Sequence, residues 1–178
     1  TPGYLEALRG TGTNRLSIGV QSLLDRDLRW MNRRHDARQA LRAVRDAQAA
    51  GFANLSLDLI YGLPQLSVEQ WRRTLDDFLS LDVPPLSAYH LSVEPRTALG
   101  KRFERGAFHP AGERLSEAHY ALLHAVLTGA GYRHYEISSF ARPGFESRHN
   151  SSYWKGVRYL GVGPAAHSFD GDRRRWNV

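Results

Sequence analysis

Residues 55–64 read LSLDLIYGLP, and this stretch decides how the rest of the chain is interpreted. Its apolar side chains fall on both alternating faces of an extended segment: Leu55, Leu57, Leu59 and Ile60. Apolar residues on both faces are typical of a parallel strand that is covered on each side. Gly62 and Pro64 then end the strand, and Ser67 begins a helix. The stretch therefore predicts a buried parallel strand.

Asp58 interrupts this strand with a carboxylate, which is costly to bury unless another group pairs with it. In a structural interpretation, the side chain caps a nearby loop or meets an arginine. In a functional interpretation, it points into the mouth of a barrel or sheet and binds a hydroxyl or an amine of a ligand. The position alone favours neither interpretation.

Strands and helices alternate over the first hundred residues. Strands are predicted at 15–20, 55–60 and 86–93, with helices at 2–9 (Thr1 as its N-cap), 25–32, 37–50 and 68–81. This alternation indicates right-handed βαβ units and a parallel sheet, in a partial barrel or a doubly wound fold. Both folds bind ligands at the carboxyl ends of their strands. The polar residues at those ends are Gln21, Asp58 with Tyr61, and Ser92 with Glu94.

The composition is that of a basic globular protein without thiols. Of its 178 residues 42% are hydrophobic, and 24 Lys and Arg against 18 Asp and Glu give a net charge of +6. The positive charges are mostly scattered arginines, and no nucleic-acid-binding motif accompanies them, so we expect no nucleic-acid partner. Because the chain has no cysteine, it offers no disulfide and no thiolate ligand for a metal or cluster.

The chain begins Thr1-Pro2-Gly3 without a methionine, and its last residues resemble the middle of a strand. We therefore expect an internal part of a longer protein. It contains no apolar run that is long enough for a membrane span, and no signal peptide opens it. A cytoplasmic location is the resulting expectation.

The pattern changes after Pro95. Helices are predicted at 97–105 and 113–130, a strand at 132–140, and a remainder rich in glycine, aromatic and small polar residues. We place a domain boundary between residues 95 and 110, which gives domains of 1–100 and 101–178. Gly161, Gly163 and Ala166 formally match a dinucleotide-binding fingerprint, but Pro164 argues against the helix that this motif requires.

Several of these stretches resemble one family, the radical S-adenosylmethionine (SAM) proteins related to oxygen-independent coproporphyrinogen III oxidase. They are Asn14–Ser22 (NRLSIGVQS), Asn32–Asp36 (NRRHD), Gly51-Phe52 and Asp58–Pro64 (DLIYGLP). The segment Arg148–Trp154 (RHNSSYW) and the closing Tyr159–Ser168 (YLGVGPAAHS) are similar to the haem-chaperone branch of that family. The resemblance covers nearly the whole chain.

This resemblance implies part of a radical SAM (β/α) barrel followed by a smaller α+β carboxyl-terminal region. It implies SAM and a [4Fe–4S] cluster as cofactors, and Gln21, Arg33, Asp58 and Ser92 fall where the family contacts SAM. These residue types suit the ribose hydroxyls, ammonium and carboxylate of SAM. The family's cluster-binding cysteine triplet is missing from this chain, so we expect the chain alone to be inactive.

The segment Arg148–Trp154 suggests a haem site. His149 is a candidate iron ligand, Tyr153 and Trp154 are candidates for packing on the macrocycle, and Arg148 is a candidate partner for a propionate. The alternative is structural: His149 and Asn150 join the carboxyl-terminal segment to the barrel by hydrogen bonds, and Trp154 lies in the core. His90, in the middle of a predicted strand, is expected to be buried.

Three functions compete at this point. The first is a haem chaperone that binds haem and SAM and delivers haem to an acceptor protein not identified by the sequence. The second is the radical SAM oxidase (coproporphyrinogen dehydrogenase) of porphyrin biosynthesis. The third, a basic nucleic-acid-binding protein, has no motif in its favour. The segment Arg148–Trp154 favours the chaperone.

Overall fold

The computed structural model describes residues 2–178, which form two compact units, residues 2–145 and residues 146–178. Thr1, the expected N-cap of the first helix, lies outside the described residues. None of the helices within residues 2–178 is long and apolar enough to cross a membrane.

The first unit is built mainly from alternating strands and helices. In chain order its elements are α1 (Pro2–Gly10), β1 (Arg15–Gln21), α2 (Asp25–Trp30), α3 (Ala37–Ala49), β2 (Asn54–Tyr61), α4 (Val68–Ser80), β3 (Pro85–His90), α5 (Ala98–Glu104), α6 (Glu113–Gly129), β4 (Arg133–His134) and β5 (Ser139–Ala141). The predicted strand–helix alternation over the first hundred residues is confirmed, with element ends within a few residues of the expected ones.

Strands β1, β2 and β3 form a parallel sheet, with Gly19 opposite Asp58 and Asp58 opposite Ser87. The sheet continues through β5 and β4, which are both paired antiparallel, in the order β1-β2-β3-β5-β4. The single strand predicted over 132–140 is therefore wrong. Residues 135–138 form a turn, and the hairpin lets Phe140 and Ala141 pair with β3, where both are buried.

The two long helices between the parallel strands begin as their sequences require. Asp36 accepts a hydrogen bond from the backbone N–H of Gln39, whose side chain bonds back to the N–H of Asp36. Ser67 and Gln70 form the same reciprocal capping box at the start of α4. Each box satisfies backbone donors that the first turn of a helix leaves unpaired.

The helices cover one face of the sheet and form the hydrophobic core with it. The buried core residues come from β1, β2 and β3 on one side and from α3, α4 and α6 on the other: Val20, Leu55, Leu57, Leu59, Leu86, Ala40, Val44, Trp71, Leu75, Phe78, Leu123 and Leu127. Burial of this apolar surface, at roughly 25 cal/mol per Å², is the main stabilising contribution to the unit.

The opposite face of the sheet is polar, which corrects the expectation of a strand that is apolar on both faces. Alternate residues of β2 on this face are Asn54, Ser56 and Asp58, and only Ile60 is apolar. The neighbouring strands contribute Ser17 and Ser87 in the same register. Polar side chains alternate with apolar ones because successive side chains of a strand point to opposite faces.

The second unit consists of α7 (Arg148–Trp154) and a hairpin of β6 (His167–Phe169) and β7 (Arg174–Trp176). Helix α7 was not predicted, since the sequence was interpreted only as glycine- and aromatic-rich. Residues 161–166 lead into a strand, not a helix. The boundary predicted between residues 95 and 110 concerns the domains of a longer protein and stays a prediction.

Candidate functional site

The polar face of the sheet centres on Asp58. Its carboxylate accepts a hydrogen bond from Ser17 Oγ at 3.0 Å, so β1 and β2 are joined by side chains as well as by backbone. Ser87, opposite Asp58 on β3, also bonds to this carboxylate, and Ser87 Oγ lies 3.4 Å from Ser139 Oγ. The structural interpretation of Asp58, as a loop cap or as the partner of an arginine, does not describe this environment of hydroxyls.

Burial raises the pKa of Asp58 above its ordinary value of 3.8. The hydrogen bonds from Ser17 and Ser87 and the more distant charge of Arg15 oppose this shift without cancelling it. Arg15 instead donates to Asn54 Oδ1 at 2.8 Å. Among residues 2–178, Asp58 is thus a partly buried carboxylate without an ion-pair partner, which is suited to a ligand that brings hydroxyls or positive charge.

Gln21 ends β1 at a bulge. The register of β1 against β2 shifts between Gly19 and Gln21, and Gln21 has a φ of 70°, in the left-handed region that non-glycine residues rarely adopt. A Cβ on Gly19 would lie 2.5 Å from Gln21 Nε2, so the absence of a side chain at Gly19 lets the amide of Gln21 fold back over the strand. Bulges of this kind redirect side chains at barrel rims. Because Gly19 pairs with Asp58, the bulge brings Gln21 towards the polar face.

Arg33 follows α2 in a fixed backbone geometry. Asn32 has a φ of 57° and donates to the carbonyl of Arg29, while the N–H of Arg33 donates to the carbonyl of Leu28 at 2.9 Å. These two bonds form a Schellman motif, a common way to end a helix. Within residues 2–178 the guanidinium of Arg33 makes no ion pair and is exposed.

Arg33 lines an open cleft of about 460 Å³ at the carboxyl ends of β2 and β3. The other lining residues are three further polar or charged side chains and several apolar ones: Arg29, Asn32, Arg102, Trp30, Met31, Ile60, Leu91, Ala98 and Leu99. Ser92 comes directly after Leu91, beyond the end of β3, and is exposed. Gln21 and Asp58 lie on the polar face, Arg33 lines the adjoining cleft, and Ser92 follows a residue that lines it.

A buried histidine that sequence reasoning missed supports the loop after β2. His119, on α6, is fully buried, and its Nδ1 accepts a hydrogen bond from the N–H of Gly62 at 3.3 Å. Its own carbonyl accepts from Trp71 Nε1 at 3.0 Å. Burial lowers the pKa of His119, against a smaller opposite influence of the backbone of Leu66 and Ser67. The helical position of His119 on the core-facing side of α6 was the one sequence signal for this role.

His90 does not occupy the buried position that was expected. It is the last residue of β3 and is exposed, because the strand ends three residues earlier than predicted. Its Nε2 lies 3.0 Å from Ser116 Oγ. Gly62, with a φ of 74°, packs against the His90 ring so closely that a Cβ there would lie 2.6 Å from Nε2. The histidine therefore fills the space that glycine leaves at this turn.

In the second unit, α7 presents the predicted haem residues on its surface. His149 Nε2 lies 3.1 Å from Tyr153 Oη, one helical turn away, and the two rings meet edge to face at 4.9 Å between centroids. Tyr153 in turn meets Tyr159 edge to face at 4.9 Å. Trp154 is 60% exposed and Tyr153 45% exposed. The alternative that placed Trp154 in a core is therefore wrong.

The described residues contain no group of three or more His, Cys, Asp or Glu side chains that could hold a metal ion. A [4Fe–4S] cluster bound by three cysteines does not fit this chain, which has none. SAM does fit the polar side chains at the end of the sheet. A carboxylate can accept hydrogen bonds from its hydroxyls or ammonium, a guanidinium can bind its carboxylate, and an amide can do either.

Comparison with known proteins gives one consistent family. Residues 1–78 match the Radical SAM superfamily. The chain is 40% identical over 177 residues to the heme chaperone HemW of Mycobacterium tuberculosis (strain ATCC 25618 / H37Rv). This alignment covers 99% of this chain and 45% of that protein. It is 36% identical over 174 residues to the heme chaperone HemW of Bacillus subtilis (strain 168), and this alignment covers 98% of this chain and 46% of that protein. The chain thus spans less than half the length of these curated relatives.

Among solved structures, coproporphyrinogen III oxidase (HemN) from Escherichia coli, described as a radical SAM enzyme, superposes with a TM-score of 0.80 at 26% identity. The match covers 99% of this chain and 43% of that one. The expected fold, part of a radical SAM barrel with a parallel sheet, is confirmed by this likeness. Residues 1–78 therefore match the radical SAM superfamily, and over nearly its whole length the chain is similar to heme chaperone HemW and to coproporphyrinogen III oxidase.

Proposed function

We propose that this protein is a haem chaperone that binds haem through α7 and SAM at the carboxyl end of the parallel sheet. The observation that carries the proposal is the exposed group of His149, Tyr153 and Trp154 on one short helix. An imidazole can ligate haem iron, and aromatic side chains can pack on the macrocycle. In this proposal Arg148, which is also exposed, pairs with a propionate. The two relatives named heme chaperones at 36% and 40% identity support it.

For SAM, we propose that Asp58 accepts from the ribose hydroxyls or the ammonium, Arg33 binds the carboxylate, and Gln21 serves either end. Ser92 contributes through its backbone or its small size. A [4Fe–4S] cluster would supply the electron that radical SAM chemistry needs, and its cysteine ligands are not in this chain. A haem-acceptor protein and a cytoplasmic location complete the proposal.

The test is a haemin titration of the complete protein, followed by the Soret band. For the parent protein we expect saturable binding with a shifted Soret maximum. His149→Ala should give a different spectrum and weaker binding. Its melting temperature should equal that of the parent, because His149 is exposed and its hydrogen bond lies within its own helix. His167→Ala, a second exposed histidine of the same unit, is the matched control and should bind haem as the parent does.

Tyr153→Phe refines the result. It frees His149 Nε2 from the Tyr153 hydroxyl, so haem binding should persist or strengthen if that nitrogen ligates iron. If His149→Ala lowers the melting temperature and leaves haem binding unchanged, the histidine is structural and the chaperone proposal fails.

The second candidate is the oxidase, and the likeness to the E. coli coproporphyrinogen III oxidase favours it. The two functions separate by product analysis. Reconstituted complete protein that converts coproporphyrinogen III by loss of two carboxyl groups would establish the oxidase. Stable haem binding without that conversion would support the chaperone.

A further inference from the structure

We propose that Arg102 is a positioning residue for Arg33, so that the amino-acid end of bound SAM depends on a side chain that does not belong to the SAM-binding set. This inference rests on the proposed binding of the SAM carboxylate by Arg33. Arg102 lies on α5, which is remote in sequence from α2 and outside the SAM motifs of the sequence. The contacts of its guanidinium connect it to the end of α2.

The first contact is a hydrogen bond. Arg102 Nη1 donates to the carbonyl of Trp30 at 3.1 Å, and Trp30 is the last residue of α2. The last carbonyls of a helix have no partner within the helix, and a cation there also interacts favourably with the helix dipole. Arg102 therefore closes the carboxyl end of α2 from outside the helix.

The second contact is aromatic. The Arg102 guanidinium carbon lies 5.2 Å from the centre of the Trp30 ring and 5.8 Å from that of Phe108. Trp30 and Phe108 meet edge to face at 5.0 Å between centroids. A cation over aromatic faces is attracted to both rings, and the planar guanidinium suits this arrangement better than an ammonium does. The three side chains thus hold α5, the loop after it and the end of α2 together.

This end of α2 fixes Arg33. Arg33 follows Trp30 by three residues. The two Schellman bonds, from the N–H groups of Asn32 and Arg33, fix the backbone conformation at this point. Arg33 and Arg102 line the same cleft. The free guanidinium of Arg33 has no partner of its own among residues 2–178, so its location depends on the backbone that carries it.

The consequence is specific to one part of the ligand. A loosened end of α2 displaces Arg33, which would contact the carboxylate of SAM. It leaves Gln21 on β1 and Asp58 on β2 in place. 5′-Methylthioadenosine contains the adenosine part of SAM without the amino-acid part. Loss of Arg102 should therefore weaken SAM binding and spare methylthioadenosine binding.

The experiment measures both ligands by calorimetry on the complete protein, for Arg33→Ala, Arg102→Ala, Arg102→Lys and the double variant. Lys101→Ala, the exposed neighbour on α5, is the control. We expect Arg102→Ala to lower SAM affinity about three- to tenfold, in the range of couplings between residues in contact networks, and methylthioadenosine affinity not at all. Arg102→Lys should keep the charge but recover little affinity, because it loses the fork and the stacking. In the Arg33→Ala background, Arg102→Ala should have no further effect.

The outcomes distinguish the proposals. If Arg33→Ala leaves the preference for SAM over methylthioadenosine unchanged, the proposed SAM site itself fails. If Arg33→Ala removes that preference and Arg102→Ala does not alter it, the positioning role of Arg102 is overturned. Additive losses in the double variant would also overturn it, because they would mean that Arg102 contacts the ligand directly. An equal loss for both ligands would indicate general destabilisation and likewise contradict positioning.

Discussion

Replacement of Asp58 by asparagine tests the centre of the polar face with almost no change in shape. The substitution keeps one oxygen, which can still accept the hydrogen bond from Ser17, and replaces the other with a donor. A ligand hydroxyl or ammonium that bonded to the carboxylate then loses a charge-assisted contact. Such a contact contributes about 1.5–3 kcal/mol, which corresponds to a loss of roughly ten- to a hundredfold in SAM affinity.

The same substitution should not destabilise the protein without ligand. Burial raises the pKa of Asp58 in the fold, so the ionised carboxylate opposes folding once the pH rises through that pKa. Below the ordinary value of 3.8 both states are protonated and the penalty disappears. The amide carries no such penalty, so the melting temperature of Asp58→Asn should equal or exceed that of the parent at neutral pH, and the difference should shrink towards acid pH.

Calorimetric titration of the complete protein with SAM, together with thermal unfolding at several pH values, measures both effects. Asp76→Asn on α4 is the control, because Asp76 is an exposed carboxylate that pairs with Arg72 far from the polar face. Unchanged SAM affinity for Asp58→Asn would refute its assignment to the ligand. A lower affinity accompanied by a clearly lower melting temperature would refute the claim that the carboxylate serves binding at the expense of stability.

Three further predictions concern the fold and the cluster. Because the pKa of His119 is lowered in the folded state, the unfolded chain binds a proton at this residue before the folded chain does as the pH falls below about 6.5. Urea midpoints should therefore decline below that pH, and His119→Gln should remove that part of the decline. Ser67→Ala should cost about 1 kcal/mol in urea unfolding, through loss of the α4 capping box, whereas Ser80→Ala at the other end of the helix should cost less. Anaerobic reconstitution of this chain with iron and sulfide should give no stoichiometric cluster, since it has no thiolate, and equimolar iron with cluster absorbance would disprove this.

The strands and helices of the first unit were predictable because their signals are local. Capping pairs such as Ser67 with Gln70 and the helical spacing of apolar residues specify where α4 begins and which face it buries. The hairpin of β4 and β5 was not predictable in the same way. Residues 132–140 alternate like a single strand, and their division depends on pairing with β3, which lies some fifty residues away.

The residues of the candidate site were proposed from the sequence, and that proposal stays a prediction; the geometry around them was not foreseen. Gln21, Arg33 and Asp58 came from motif resemblance, while the bulge at Gln21 and the Schellman end of α2 depend on backbone conformations that periodicity does not reveal. His119 was missed because its place among the apolar residues of α6 is the one signal it gives, and that position does not reveal which group it bonds. Helix α7 was missed because it is only seven residues long and mainly polar or aromatic, which gives a weak helical pattern.

The alternation along β2 has a consequence for how this protein tolerates change. Leu55, Leu57 and Leu59 pack with the helices, and the residues between them, Ser56 and Asp58, point to the opposite, polar face, where the proposed ligand site lies. A mutational scan of this strand that scores cellular abundance and ligand binding separately should therefore produce two interleaved profiles with a period of two. Selection for tighter folding and selection for a new ligand would act on neighbouring codons with little interference, so one strand could evolve along two independent routes.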